Sequence, residues 1–135
     1  MERILVSMEA PRVAWEALIR AFSLAERTGK GVSVLLVYPD QAQTHHLVKE
    51  EHPVPVREKL ELIIRNLKPE NISPAIYMTE GPYEEEVIRF VEEYGITHLI
   101  IEFFEENPKV DARSSKSINR IRHRVKCRME VVHKK

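Results

Sequence analysis

Glycine is scarce in this chain, four in 135 residues, and none follows Gly95. Loops that cradle phosphate use glycines to reach positive φ and to bring backbone amides close, so the last 40 residues hold no loop of that kind. Cysteine is nearly absent as well: Cys127 stands alone and excludes an intramolecular disulfide. The N-terminus lacks the sequence of basic residues, apolar core and small-residue cleavage site that marks a secretory leader, so a cytoplasmic setting is expected. No apolar run approaches the roughly 20 residues that cross a bilayer, and a membrane partner is not expected. Net charge is missing too, with 21 basic and 21 acidic residues, which removes total charge as an argument for a nucleic-acid partner. The balance is only global. Residues 107–135 carry ten Lys/Arg against two Asp/Glu, so one face or end of the molecule is expected to be basic.

What is present is a chain with 43% hydrophobic residues, enough for one domain, 1–135, around one core. Arg3 to Met8 is a short apolar run of strand length. From Pro11 to Thr28, Ala14, Ala17, Leu18, Ala21, Leu24 and Ala25 recur at helical spacing up to Gly29, which suits a helix C-terminus. Val32 to Tyr38 is a β-branched and aromatic strand stopped by Pro39-Asp40. Asp40 to His52 has no period and is read as a loop. Helical spacing resumes from Pro53 to Leu67, and Ser73 to Thr79 gives a third strand. Gly81-Pro82 opens a helix with Glu84, Glu85 and Glu86 in its first turn, where the helix dipole favours them. Thr97 to Phe103, Ser114 to Val125 and Arg128 to His133 supply a strand, a helix and a last strand. Strands alternating with helices, joined by right-handed crossovers, predict an α/β fold: an open five-stranded parallel sheet with helices on both faces.

Ile4-Leu-Val, the alanine-rich first helix, Gly31-Val-Ser-Val-Leu-Leu-Val and the ending Cys127-Arg-Met-Glu-Val-Val together resemble the universal stress protein family. The resemblance spans nearly the whole chain and implies a Rossmann-like sheet in the order 3-2-1-4-5, often dimeric. One large branch of that family binds ATP, with Asp at the end of the first strand and Gly-x2-Gly-x9-Gly-Ser/Thr after the fourth. Here Glu9 matches the first position, one methylene longer, and Ala10-Pro11 replaces the Gly-Ser that usually follows. Counting back from Cys127 places Glu102, Glu105 and Ser115 at the three glycines and Lys116 at the Ser/Thr. The motif is therefore absent. ATP in the family's usual pose is disfavoured, and no cofactor is expected.

If a nucleotide or small anion binds all the same, the candidate residues are Glu9, Val37, Tyr38, Arg113, Ser114, Ser115, Lys116 and Ser117. Arg113 to Ser117 is read as opening the last helix, where free amides, hydroxyls and cations make an anion site. A serine N-cap before a solvated surface is the commoner meaning of the same residues. The basic run Arg120, Arg122, Arg124, Lys126 and Arg128 lacks interleaved aromatics, so nucleic acid is not expected. His45, His46 and His52 stand without an acid or thiol at ligand spacing, so no metal is expected. Cys127 and Trp15 are read as packing residues, and no catalytic constellation emerges. The sequence predicts a non-enzymatic regulatory or interaction domain with an unnamed protein partner. Its second copy is expected to pair through Arg128 to His133, an apolar strand at the sheet edge.

Overall fold

A strand covered on both faces carries its apolar residues without interruption. In the computed structural model, which describes residues 3–29, 31–39, 56–67 and 72–134, the first such run is β1 (Arg3–Glu9). It lies at the centre of a five-stranded sheet, and Ile4 through Met8 are all buried. There follow α1 (Trp15–Thr28), β2 (Gly31–Tyr38), α2 (Val56–Leu67), β3 (Ala75–Glu80), α3 (Tyr83–Glu93), β4 (His98–Phe104), α4 (Pro108–Arg124) and β5 (Arg128–Lys134). The order is β3-β2-β1-β4-β5 and every pairing is parallel. The expected loop 40–52 with its three histidines lies outside the described residues, as do 53–55.

Alternation along the strands divides the interior in two. Ile4, Val6 and Met8 face α1, which lays Ala17, Leu18, Ala21, Phe22 and Ala25 against them, with Leu60 of α2 beside it. Leu5, Leu35, Val37 and Leu99 face the other way, onto Val87, Phe90 and Val91 of α3 and Ile118 and Ile121 of α4. The three alanines leave α1 no bulk to hold it off the sheet. Gly29 ends the helix at φ 71°, its N–H donating to the Ala25 carbonyl at 2.7 Å.

Three sequence expectations need correction. α1 begins at Trp15 rather than Pro11, because a turn, in which Arg12 N–H donates to the Glu9 carbonyl at 3.1 Å, comes first. Trp15 is not a packing residue: it is 41% exposed. The last helix begins at Pro108, six residues before Ser114. Asn107 caps it, its Oδ1 accepting from Val110 N–H at 2.9 Å, with Pro at the first position and Asp111 in the first turn. This start signal precedes the apolar stripe by two turns, and a reading based on apolar period starts too late.

Gly81 connects β3 to α3 at φ 145°, its N–H donating to the Tyr38 carbonyl at 3.0 Å. A Cβ there would stand 2.9 Å from Oε2 of the buried Glu86, which Arg89 holds. Gly81→Ala is therefore expected to cost about 1–3 kcal/mol, measured by urea unfolding. Adding Glu86→Ala should relieve the contact but leave the backbone strain. A loss below about 0.5 kcal/mol, the range of neutral surface changes, would contradict this.

Candidate functional site

β1 sends its chain to α1 on one face of the sheet, while β4 sends its chain to α4 on the other. Between their carboxyl ends, where the connections part, an open α/β sheet leaves a crevice. Here it has a volume of about 680 Å³, within the range of small-molecule sites.

Its floor is a hydroxyl pair, Ser7 Oγ and the Tyr83 phenol oxygen at 2.8 Å. Burial pushes the Tyr83 pKa far above that of a free phenol; the Ser7 hydrogen bond opposes the shift and the Glu9 charge adds to it. Tyr83 is thus an un-ionised hydroxyl throughout the physiological range. On the rim, partial burial raises the Glu9 carboxyl pKa, and the nearby Arg12 guanidinium offsets part of that rise.

Two ion pairs brace the walls. Arg12, in the connection after β1, pairs with Glu106 in the connection after β4, and its guanidinium lies 5.2 Å from the centre of the Phe104 ring. On the other side Arg120 of α4 grips both carboxylate oxygens of Glu84 of α3, at 2.5 to 3.0 Å. The Arg120 hydrogen bonds hold the Glu84 pKa below the usual carboxylate range, and Ser117 donates to it as well. A depressed carboxylate stabilises the fold above its unfolded pKa, and that contribution is lost as pH falls through the lower folded value. Arg120→Ala should move the Glu84 titration upward in a side-chain carboxyl NMR experiment. At pH 7 it should lower stability only slightly, since the pair is solvated, and at acid pH the two proteins should converge. An unmoved Glu84 titration would refute this account.

Glu102 plays a part that the motif comparison does not reveal. It is buried in β4, and its Oε1 accepts from Ala17 N–H of α1 at 2.9 Å. The residue at the α1 N-cap is Ala14, which has no side chain able to cap. Glu102 therefore caps α1 from the neighbouring strand with one carboxyl oxygen, while it also lines the crevice. Two signals pointed to it: a single acid inside the apolar run Leu99 to Phe104, and a helix whose first turn has no polar cap of its own.

The candidate residues separate. Glu9, Arg113, Ser114 and Ser117 line the crevice. Val37 is fully buried in the core and Tyr38 packs against it, neither forming part of the wall. Ser115 and Lys116 are exposed on α4 away from the cavity. Because α4 starts at Pro108, Ser114 to Ser117 sit inside the helix and offer no free start amides, so the sequence-based anion site loses its geometric basis. The true start is largely committed. Pro108 has no N–H, Val110 N–H goes to Asn107 Oδ1, Asp111 N–H to the Asn107 carbonyl, and Asp111 itself accepts from Glu106 N–H. Cys127 is half-buried, and burial pushes its thiol pKa up.

The chain matches the universal stress protein family over residues 1–133. Against the curated proteins the sequence finds no match. Among solved structures it is similar to a hypothetical protein solved as a structural-genomics test of functional assignment, with a TM-score of 0.72, 16% identity, and coverage of 99% of this chain and 96% of that one. It is also similar to a universal stress protein from Archaeoglobus fulgidus in complex with dAMP, at a TM-score of 0.69, 14% identity and 98% coverage of each chain. A third likeness is to a universal stress protein in complex with cAMP, at a TM-score of 0.67, 12% identity, and coverage of 99% and 98%. At these identities the likeness is one of fold.

Proposed function

Since the chain belongs to the universal stress protein family, we propose that it is a non-catalytic regulatory or interaction domain that works as a pair of copies and does not hold ATP in the glycine-loop manner. One observation carries this reading. The connection from Phe104 to Pro108 is three residues without glycine, and the helix start it leads to is capped by Asn107 and Asp111. A triphosphate laid along the crevice finds few free amides there and meets an acid.

A second reading has its own support. Structures of similar fold were solved with dAMP and cAMP, and Arg113 on the crevice wall makes no ion pair with a described residue. A monophosphate needs only one such cation and the hydroxyl pair of the floor, so a mononucleotide is the alternative ligand. Native mass spectrometry of protein purified from cells distinguishes the two. A ligand-free dimer supports the first reading, and a retained nucleotide mass overturns it.

Pairing of two copies through β5 rests on its place at the sheet edge, with Met129, Val131 and Val132 half-buried. Arg128 N–H turns inward, to the Thr97 carbonyl at 3.2 Å. Alternation along the strand then turns Val131 N–H to the open edge, where a two-fold copy forms an antiparallel ladder. Val131→Pro removes that outward donor without touching the β4–β5 ladder. Light scattering is expected to show a dimer for the unaltered protein and a monomer for the variant. A variant that stays dimeric refutes this interface.

A further inference from the structure

At the end of the sheet opposite the crevice, the starts of β4 and β5 and the last turns of α3 and α4 bound a second cavity of about 820 Å³. Arg124, Lys126 and Arg128 line it, against a single acid, Glu92. Arg12, Arg20, Arg89 and Arg120 are each held by a carboxylate, whereas none of these three cations makes an ion pair with a described residue.

The ordinary account of such charges is complementation of the helix dipole, and it covers Arg124 in the last turn of α4. It does not cover Lys126 and Arg128. These follow the end of the helix, where Val125 is extended at φ −88° and ψ 147°. Alternate residues of extended chain share a side. Val125 and Cys127 accordingly turn toward the interior, leaving Arg124, Lys126 and Arg128 exposed. The local fold thus presents three cations, none ion-paired with a described residue, within five residues of chain, around a hollow with an apolar back of Val91 and Ile96.

We propose that this cavity binds a compact multivalent anion of the phosphate type, held by Arg124, Lys126 and Arg128. Two guanidinium forks match pairs of phosphate oxygens, and the lysine supplies a compact third charge. The volume suits a small molecule. No Phe, Tyr or Trp is among the lining residues to offer a broad stacking face, which favours a small anion over a nucleic-acid strand. The site lies apart from the crevice and stands whether or not the crevice binds a nucleotide.

Cys127 lines the cavity and is the only cysteine of the chain, so it reports occupancy. The experiment measures its alkylation by N-ethylmaleimide, a neutral reagent, during titration with inorganic tripolyphosphate. The rate is expected to fall saturably, by roughly threefold or more as the site fills. Sodium chloride at matched ionic strength should produce much less protection, because screening alone is not site occupancy. A Lys126→Ala, Arg128→Ala double variant should lose the protection with its unfolding midpoint unchanged, since both side chains are exposed. Protection equalled by sodium chloride, protection that never saturates, or protection retained in the double variant would each overturn the proposal.

Discussion

Titration of the protein with Mg-ATP is expected to show no saturation below about 1 mM, a binding free energy weaker than about −4 kcal/mol. A phosphate-cradling loop needs residues that expose several amides to one point, and here the connection after β4 is Glu105, Glu106 and Asn107. Every one carries a Cβ, and Glu105, which makes no ion pair with a described residue, adds a negative charge. At about 5 Å and an effective dielectric near 20, one unit charge pair repels by roughly 3 kcal/mol, much of it screened at an exposed position. The committed helix start weighs more, since its loss of donors is not screened. Together these effects suffice to move a micromolar site, about −8 kcal/mol, into the millimolar range. Low-micromolar affinity for Mg-ATP would sink this account. Saturation by AMP but not by ATP would select the mononucleotide reading.

Glu102→Ala is expected to lower stability by about 2–4 kcal/mol in urea unfolding at pH 7. The carboxylate accepts a hydrogen bond from the third amide of α1 at 2.9 Å, inside the protein. A hydrogen bond to a charged group contributes about 1.5–3 kcal/mol, and the deleted side chain leaves a void besides. Negative charge beside a helix N-terminus adds to the effect. Glu102→Gln keeps an acceptor oxygen and should cost clearly less than the alanine change. Equal losses would mean that the charge, rather than the hydrogen bond, dominates. A loss under about 1 kcal/mol for alanine would show that α1 does not depend on this cap.

The succession of strands and helices along the described residues was legible because each element announces itself locally, whereas the sheet order 3-2-1-4-5 came from the family resemblance. β1 and β2 are continuous apolar runs, α1 carries an alanine stripe, and Gly29 and Gly95 stand at helix ends with φ of 71° and 60°. The start of α4 was misplaced although Asn107-Pro108 is a good start signal, because its first two turns face solvent and show no apolar period. The site was less legible for a different reason. That Glu102 reaches Ala17, or Arg12 reaches Glu106, depends on how β4 sits against β1, which no local pattern states. Glu9 was named because it stands at the family's first-strand position, and Arg113 because it was read as opening the last helix, a start that the structure moves to Pro108; both line the crevice all the same. Ser115 and Lys116 came from counting along a motif that the chain does not have.

The central position of β1 also sets when this molecule can complete itself during synthesis. Its first backbone contacts on the β4 side join Arg3 to Thr97, 94 residues later. At ribosomal rates of about 5–20 residues per second, β1 waits roughly 5–20 s before that partner emerges. Throughout that interval one edge of the central strand is uncovered, and for most of it Leu5 lacks the helices that cover it in the finished fold. The nascent chain is therefore most exposed to misassociation between the release of β1 and that of β4, and chaperone contact should concentrate there and end once β4 is released.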